Sequence, residues 1–256
     1  MRLFRKNRIM KPLIKGGVSQ MSKLEFFPHQ VQALNDTKEF NRVAYYHDMG
    51  LGKTYTGAEK MYRLGAKVNL IICQKSKVND WFDHFRTYYW DKGVTGYDLT
   101  KKQDLEVFIT NGEIQVLNRA VGIINYELTY RRPELKQLKN YTLMLDESSL
   151  IQNPSTQRSK FVLQSKPDNI ILLSGTPTAG KYEKLLSQIH LLGWNISKDL
   201  FWKHYVEWEW VETDEGFFRK SILGYKNVDR LKMKLRQHGA MFLKSEEVPE
   251  IELPSK

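Results

Sequence analysis

A glycine-rich octet, HDMGLGKT, occupies residues His47 to Thr54. An apolar run, Val43 to Tyr46, precedes it, and a stretch compatible with a helix, Thr54 to Arg63, follows it. Between a strand and a helix, the backbone N–H groups of such a loop form a cluster of positive dipoles that fits phosphate oxygens. The octet therefore predicts a binding site for a nucleoside triphosphate, and a chance glycine-rich turn is the alternative.

The residue types in the octet suit the parts of a triphosphate and its metal ion. Gly50 and Gly52 let the backbone approach the phosphates without a Cβ atom in the way. Lys53 is expected to reach the β- and γ-phosphates, and the Thr54 hydroxyl is expected to bind Mg²⁺. The usual loop begins with glycine, where this chain has His47. The predicted nucleotide-binding residues of the loop are Met49, Gly50, Leu51, Gly52, Lys53 and Thr54.

A second chemical element follows another apolar run. The predicted strand Tyr141 to Leu145 leads directly into Asp146 and Glu147. In a phosphate-loop hydrolase, Asp146 would hold Mg²⁺ through its outer shell and Glu147 would orient or deprotonate the attacking water. Taken alone, the Asp-Glu pair fits an ordinary helix N-terminus equally well. Together with the octet it predicts ATP hydrolysis.

Composition sets the frame for these motifs. The chain has 256 residues, of which 41% are hydrophobic, so it can bury a substantial core. The 40 Lys and Arg against 29 Asp and Glu give a formal charge of +11, which favours a polyanionic partner such as nucleic acid. The single cysteine, Cys73, lies in an apolar run and is predicted to be a core residue. One cysteine cannot form a disulfide within the chain, so we expect a reducing, intracellular compartment, which is the cytoplasm or the nucleoid or nucleus. Apolar runs stay well short of the roughly 18 residues that a membrane span needs.

The beginning of the chain is basic. The first 23 residues include seven Lys and Arg and no acidic residue. Since a plausible start of the folded domain comes at Met21, residues 1–22 are predicted to be a flexible extension without a fold. A nucleic-acid-binding arm and a mitochondrial transit peptide are the alternatives.

The rest of the chain alternates short apolar runs with longer amphipathic stretches, the pattern of a parallel sheet covered by helices. Because ligands bind beyond the carboxyl ends of such strands, the polar residues that follow them are expected to converge on one crevice. The predicted strands are Arg42 to Tyr46, Val68 to Cys73, Val121 to Asn125, Tyr141 to Leu145 and Asn169 to Ser174. The predicted helices are Gln30 to Phe40, Thr54 to Leu64, Val78 to Tyr89, Pro133 to Leu138 and Lys181 to Leu192.

Five ordered segments resemble the first RecA-like lobe of Swi/Snf-type ATPases, which belong to helicase superfamily two. They are HDMGLGKT, IICQKSKVNDWFDHF from Ile71, IINYE from Ile123, LDESSLIQNPSTQRSK from Leu145 and LLSGTPTAGKYEKLLSQIHLLGW from Leu172. Relatives typically show DEMGLGKT, a CPKS…W block, DEAH or a variant followed by IKNP, and TGTP. The resemblance covers roughly Leu24 to Lys256. It implies an α/β fold, a RecA-like P-loop NTPase lobe with a central, mostly parallel sheet and helices on both faces.

The resemblance also implies roles for individual residues. Gln30, in FPHQ, would contact adenine. Lys53, Asp146 and Glu147 would carry hydrolysis, with ATP and Mg²⁺ as the cofactors and Thr54 and Asp146 as metal ligands. The residues expected to contact nucleic acid, chiefly double-stranded DNA, or to couple it to the nucleotide are Lys75, Ser76, Asn125, Ser174, Gly175 and Thr176.

Several residues depart from the family or allow two interpretations. His47 and Asp48 replace the usual Asp-Glu pair, and Ser148-Ser149 replace Ala-His, so that Ser149 bears on coupling between ATP and DNA. Lys75 fits a solvated loop lysine as well as a nucleic-acid contact. Trp81 is predicted to be a core residue of its helix rather than a base-stacking platform.

The predicted organisation is a lobe over residues 23–200 and a C-terminal part over 201–256. Within the C-terminal part, the segment from His204 to Phe218 holds five acidic residues and no Lys or Arg, so its charge opposes the binding of phosphate groups. We predict instead a β-hairpin around Thr213 to Gly216 that packs on the lobe. A surface for contact with a partner is a further use of this segment. The closing stretch, His238 to Lys256, resembles the connection toward a second RecA-like lobe.

Three functions remain open from the sequence. The first is the ATP-binding lobe of a double-stranded-DNA translocase, either as a fragment or completed by a separate second-lobe chain. Hydrolysis without second-lobe arginines is expected to be weak. The second is a free-standing ATP- or DNA-binding regulatory protein with little turnover. The third is a small-molecule kinase or other phosphate-loop enzyme.

Overall fold

The computed structural model describes residues 24–114 and 118–248. The predicted basic extension of residues 1–22 and the end of the stretch from His238 to Lys256 lie outside the described residues. None of the helices within the described ranges is long and apolar enough to cross a membrane.

Helices and strands alternate along the described residues. The strands are β1 (Arg42–His47), β2 (Val68–Cys73), β3 (Val94–Asp98), β4 (Arg119–Asn125), β5 (Tyr141–Asp146), β6 (Asn169–Leu173), β7 (Val206–Glu212), β8 (Phe218–Tyr225) and β9 (Ala240–Leu243). The helices are α1 (Pro28–Asp36), α2 (Lys53–Leu64), α3 (Val78–Tyr88), α4 (Lys102–Ile114), α5 (Tyr126–Thr129), α6 (Gln157–Gln164), α7 (Leu186–Leu191), α8 (Lys198–Tyr205) and α9 (Val228–Gln237). Short 3₁₀ helices span Lys75–Lys77, Pro133–Gln137, Ser148–Ile151, Tyr182–Leu185 and Ser245–Glu247.

A parallel sheet forms the centre of the described fold, with the strand order β3-β4-β2-β5-β6-β1-β9. Its inner strands are buried along almost their whole length, which explains their nearly continuous apolar sequences. Since β6 lies between β1 and β5, the loops that follow these three strands are neighbours at one edge of the sheet.

Alternate residues of each strand enter two separate cores. One core contains Val43, Ile71 and Met144 and is covered by α1, α2 and α3. The other contains Ala44, Ile72 and Leu145 and is covered by α4 through α9. This α/β sandwich confirms the predicted fold class, because helices lie on both faces of a parallel sheet.

All five predicted strands are present, and the predicted bounds of Val68 to Cys73 agree with those of β2. Two strands of the sheet, β3 and β9, were not predicted. The predicted helix Lys181 to Leu192 is instead a 3₁₀ turn, Tyr182–Leu185, followed by the short helix α7, and Pro133 to Leu138 forms a 3₁₀ helix.

The predicted hairpin is formed by β7 and β8, which pair antiparallel. Its turn is closed by hydrogen bonds from Thr213 N to Phe217 O and from Gly216 N to Thr213 O, both 2.8 Å. The hairpin contacts the lobe at its base, where the Tyr225 hydroxyl donates to Glu183 at 2.5 Å. The acidic aromatic segment is thus a projecting ribbon anchored at one end.

Gly239 allows β9 to join the sheet beside β1. Its φ is +83°, and a Cβ atom there would collide with the carbonyl oxygen of Arg42. We expect Gly239→Ala to lower the free energy of unfolding by about 2 to 4 kcal/mol, because it combines left-handed strain with a backbone clash. Gly180→Ala is the matched control, since Gly180 has a φ of +77° with open space around it and should lose only about 1 kcal/mol. If urea denaturation gave equal losses of unfolding free energy for the two variants, the proposed clash at Gly239 would be contradicted.

Candidate nucleotide site

The glycine-rich octet forms the loop between β1 and α2. Gly50 and Gly52 have φ values of +85° and +67°, and Gly52 is the N-cap of α2. Lys53, in the first turn of the helix, bends back over the loop and donates to the carbonyl oxygens of His47 at 2.8 Å and Asp48 at 2.9 Å. The N-terminus of α2 and the ammonium group of Lys53 therefore lie at the same loop, which is the arrangement that a triphosphate requires.

Burial and charge act in opposite directions on Lys53. Burial lowers the pKa of this ammonium group, while the nearby carboxylates of Glu147, Asp146 and Asp48 act to raise it. Two of these carboxylates are the Asp-Glu pair that the sequence singled out. The structure thus brings the pair at the end of β5 within electrostatic reach of the loop that follows β1.

Asp146 ends β5 and is held by the indole of Trp81. Trp81 Nε1 donates to Asp146 Oδ2 at 2.8 Å. Burial raises the pKa of Asp146, and the hydrogen bond from Trp81 opposes that rise. Trp81 is only 1% exposed, which confirms its prediction as a core residue. The polar role of its ring nitrogen was missed, because helical spacing reports burial and gives no information on donors.

Glu147 is held in a left-handed backbone conformation, with a φ of +60°. Its carboxylate accepts a hydrogen bond from Ser174 Oγ at 2.6 Å and another from Ser149 Oγ. Ser174 follows β6, and Ser149 stands where relatives typically carry histidine. Two hydroxyl groups thus fix the carboxylate that the resemblance assigns to hydrolysis.

A buried glutamine connects three of these segments. Gln188 Oε1 on α7 accepts from Ser148 Oγ at 2.7 Å and from the Tyr46 hydroxyl at 3.0 Å. Its Nε2 donates to Pro177 O at 3.1 Å. Gln188 ties the segment after β5, the end of β1 and the loop after β6 into one network. Gln188 lies in the segment from Leu172 that carries the family resemblance, but the sequence assigned it no role.

The loop after β6 lies close to the phosphate loop. Ser174 Oγ accepts from the Thr176 backbone at 3.1 Å, and a Cβ atom on Gly175 would stand 3.5 Å from Lys53 Nζ. Of the predicted coupling residues, Ser174 therefore lies beside Glu147 and Gly175 lies beside Lys53.

Helix α1 is fastened to the phosphate loop from the side. Gln30 Oε1 accepts from Phe27 N at 2.9 Å, and Gln30 Nε2 donates to Gly52 O at 3.1 Å. His29 Nε2 donates to Leu51 O at 3.1 Å, and the His29 ring stacks on the ring of Phe27. Since both ends of the Gln30 amide have partners, its contact with adenine stays a prediction. The exposed Phe27 ring beside the loop was not predicted.

The predicted nucleic-acid contacts are in different environments. Lys75 and Ser76 are exposed on the 3₁₀ turn between β2 and α3. Asn125, at the end of β4, is 3% exposed and donates to Glu127 Oε2 at 2.9 Å. The structure therefore offers Lys75 and Ser76 to a partner and keeps Asn125 beneath the surface.

Asp48 joins the phosphate loop to the segment after β9. Its carboxylate Oδ2 accepts from Ser245 N at 2.9 Å, and its backbone N–H donates to Leu243 O at 3.0 Å. The replacement of the usual glutamate by Asp48 is thus accompanied by a direct contact with the outgoing chain.

Thr54 and Asp146 supply oxygen ligands of the kind that Mg²⁺ prefers. Within residues 24–114 and 118–248, no group of three His, Cys, Asp or Glu is arranged to hold a metal ion. Magnesium ions are usually held by one or two carboxylates together with substrate phosphates. The assignment of Thr54 and Asp146 to Mg²⁺ therefore stays a prediction.

A buried histidine near this site makes stability depend on pH. His84 packs on Trp81 and Tyr55, and burial lowers its pKa to about 4, below the unfolded value of 6.5. Protonation therefore favours the unfolded chain, and stability is lost as the pH falls from 6.5 toward 4. We expect His84→Phe to remove about 2 kcal/mol of the loss between pH 7.5 and 4.5, measured by urea denaturation. An unchanged difference between the two pH values would contradict this assignment.

Known proteins resemble the chain in sequence and fold. It is 24% identical over 208 residues to the human chromatin-remodeling ATPase INO80, covering 74% of this chain and 13% of INO80. It is 25% identical over 209 residues to the rabbit (Oryctolagus cuniculus) helicase-like transcription factor, covering 77% and 19%. The SWI2/SNF2 ATPase core from Sulfolobus solfataricus, solved in complex with double-stranded DNA, superposes with a TM-score of 0.58 at 20% identity, covering 72% and 40%.

The chain thus spans a fifth or less of these two relatives and two fifths of the archaeal core. A model of the SNF2-related domain matches residues 37–243, which include the phosphate loop, the Asp-Glu pair and the loop after β6. The described residues form a RecA-like α/β lobe, and because the domain match covers more than half of the chain, the protein belongs to the SNF2-related family.

Proposed function

We propose that this chain is the ATP-binding lobe of a DNA-dependent ATPase that moves along double-stranded DNA. The observation that carries the proposal is the convergence of Lys53, Asp146 and Glu147 at one edge of the sheet. SNF2-family relatives are named as ATPases or helicase-like proteins, which supports the use of ATP.

The residues of the site divide the chemistry among them. The loop N–H groups and Lys53 would bind the β- and γ-phosphates, and Thr54 and Asp146 would hold the metal ion. When bound, Mg²⁺ neutralises charge on the phosphate oxygens. Glu147, fixed by Ser174 and Ser149, orients the water that attacks the γ-phosphate and accepts its proton.

Ser174 also gives the proposal its coupling step. The same hydroxyl that donates to Glu147 accepts from the backbone of Thr176. A change in the conformation of the Ser174 to Thr176 loop would therefore change the position of the Glu147 carboxylate, which orients the attacking water. We assign to this loop the coupling between nucleotide binding and nucleic-acid binding.

Duplex DNA is the partner that the surface favours. Lys75 and Ser76 are exposed at the carboxyl edge of the sheet, where they can contact a sugar-phosphate backbone without reading bases. The formal charge of +11 supports a polyanion, and the archaeal structural relative was solved with double-stranded DNA. For Asn125 to join this contact, its buried side chain would have to leave Glu127.

The test is steady-state ATP hydrolysis by the purified chain with and without duplex DNA. Arginine fingers contribute about 10³-fold or more to such reactions, so we expect slow turnover from one lobe and a clear increase when a second RecA-like lobe is supplied. DNA stimulation that depends on Lys75 would support the proposal. Tight nucleotide binding without turnover, even with a second lobe, would instead indicate a binding protein with a regulatory role.

Magnesium provides a separate prediction. Because Thr54 and Asp146 are the protein ligands we assign, we expect Mg²⁺ alone to bind weakly and to bind at least about 10-fold more tightly when ATP is present. Isothermal titration of Mg²⁺ into the free protein and into the protein saturated with ATP checks this, with ATP alone as the blank. Equal affinities with and without nucleotide would show that the metal site is elsewhere.

A further inference from the structure

The indole of Trp81 is the structural feature that connects the metal carboxylate to the surface. Trp81 lies on α3 and is buried against Phe85 and His84. Its ring nitrogen donates to Asp146 Oδ2 at 2.8 Å across 65 positions of sequence. In the described part of the chain, no other side-chain donor is hydrogen-bonded to this carboxylate. The orientation of Asp146 therefore depends on the position of α3.

Helix α3 continues directly from the exposed 3₁₀ turn Lys75–Lys77. Lys77 precedes Trp81 by four positions, which is about one helical turn. Val78, at the first position of α3, is buried in the same core as Trp81, so the turn and the indole are parts of one packed element. A displacement of the turn would therefore also move the indole and its hydrogen bond to Asp146.

We propose that Trp81 is a positioning residue that sets the orientation of Asp146 and makes it respond to what binds the turn Lys75–Lys77. This inference rests on the proposed function, because it assigns Asp146 to the metal and the turn to nucleic acid. It adds a route from the nucleic-acid surface to the metal carboxylate that is separate from the loop at Ser174.

The indole N–H resonance of Trp81 reports this contact directly. In ¹⁵N spectra, it is the indole signal that is lost in Trp81→Phe. We expect it to shift when Asp146 is replaced by asparagine, when Mg²⁺ and a non-hydrolysable ATP analogue are added, and when duplex DNA is added alone. If the chemical shift of the Trp81 indole did not change in Asp146→Asn, the inference would be overturned, regardless of the effect of the nucleotide on that shift.

Metal affinity gives the functional arm of the test. Groups that orient a metal ligand typically contribute 10- to 100-fold to metal affinity. We therefore expect replacement of Trp81 by benzothienylalanine, which keeps the ring volume and lacks the donor, to raise about 10-fold the Mg²⁺ concentration needed for half-maximal binding of a fluorescent ATP analogue. Phe85→Leu is the matched packing control, because Phe85 stacks on Trp81 and has no hydrogen bond to Asp146.

The outcomes separate the inference from the function on which it rests. Failure of the native chain to bind nucleotide would end the proposed function, while the indole shift on Asp146→Asn would still show the contact. Normal nucleotide binding with an unchanged Mg²⁺ requirement in the benzothienylalanine variant would end the inference alone. An indole signal that stays fixed at saturating DNA would remove the link to the turn.

Discussion

Glu147→Gln is expected to reduce ATP turnover by about 10² to 10⁴-fold and to leave ATP affinity almost unchanged. The amide has the shape of the carboxylate and still accepts from Ser174, but it cannot take a proton from water. Binding of a fluorescent ATP analogue and single-turnover hydrolysis on the same preparation measure the two effects. The effect should therefore be confined to the chemical step.

Glu127→Gln is the control for this change. Glu127 is another carboxylate near the same edge of the sheet, where it accepts from Asn125. It has no place in the proposed chemistry, so turnover should stay within about twofold of the native rate. A large loss at Glu127, or a small one at Glu147, would show that the catalytic carboxylate has been misassigned.

Lys53→Ala is expected to weaken binding of ATP by about 10²-fold. The ammonium group is the cation of the phosphate loop, and a charge-assisted hydrogen bond contributes about 1.5 to 3 kcal/mol. Since Lys53 is assigned to the β- and γ-phosphates, ADP should be affected less than ATP, and AMP least. Calorimetric titration with the three nucleotides gives this order directly.

Lys60→Met separates this effect from the loss of any buried lysine. Lys60 is 1% exposed on the same helix, and its Nζ donates to the carbonyl oxygen of Thr37 at 2.6 Å. We expect this variant to lose stability and to keep its order of nucleotide affinities. If Lys53→Ala left the affinities for ATP and AMP unchanged from those of the native protein, the phosphate assignment would be contradicted.

Local sequence predicted the central strands well because these strands are buried on both faces. Val68 to Cys73 is a continuous apolar run except for Asn69, and β2 has the same bounds. The edge strands were missed for an equally physical reason. β3 contains Gly96 and is mostly half-buried, while β9 has four residues, so neither gives a long apolar signal.

Chemistry-bearing residues were easier to find than the contacts that orient them. Lys53, Asp146 and Glu147 stand in recognisable motifs, and the structure places them around one loop. Trp81 and Gln188 act across 65 and 40 positions of sequence, respectively, by bonds to Asp146 and Ser148. Both residues lie in segments that carry the family resemblance, but these contacts cannot be predicted from local sequence, because the packing of helices on the sheet decides which residues meet.

The contact between Asp48 and Ser245 connects the phosphate loop to the segment that follows β9. One carboxylate belongs to the loop that would wrap the triphosphate, and it also fastens the chain as it leaves the last strand of the sheet. The loop cannot change shape at Asp48 without stretching this bond or moving the outgoing chain with it. Nucleotide binding at the phosphate loop and the path of the chain after β9 are therefore linked through one carboxylate, that of Asp48.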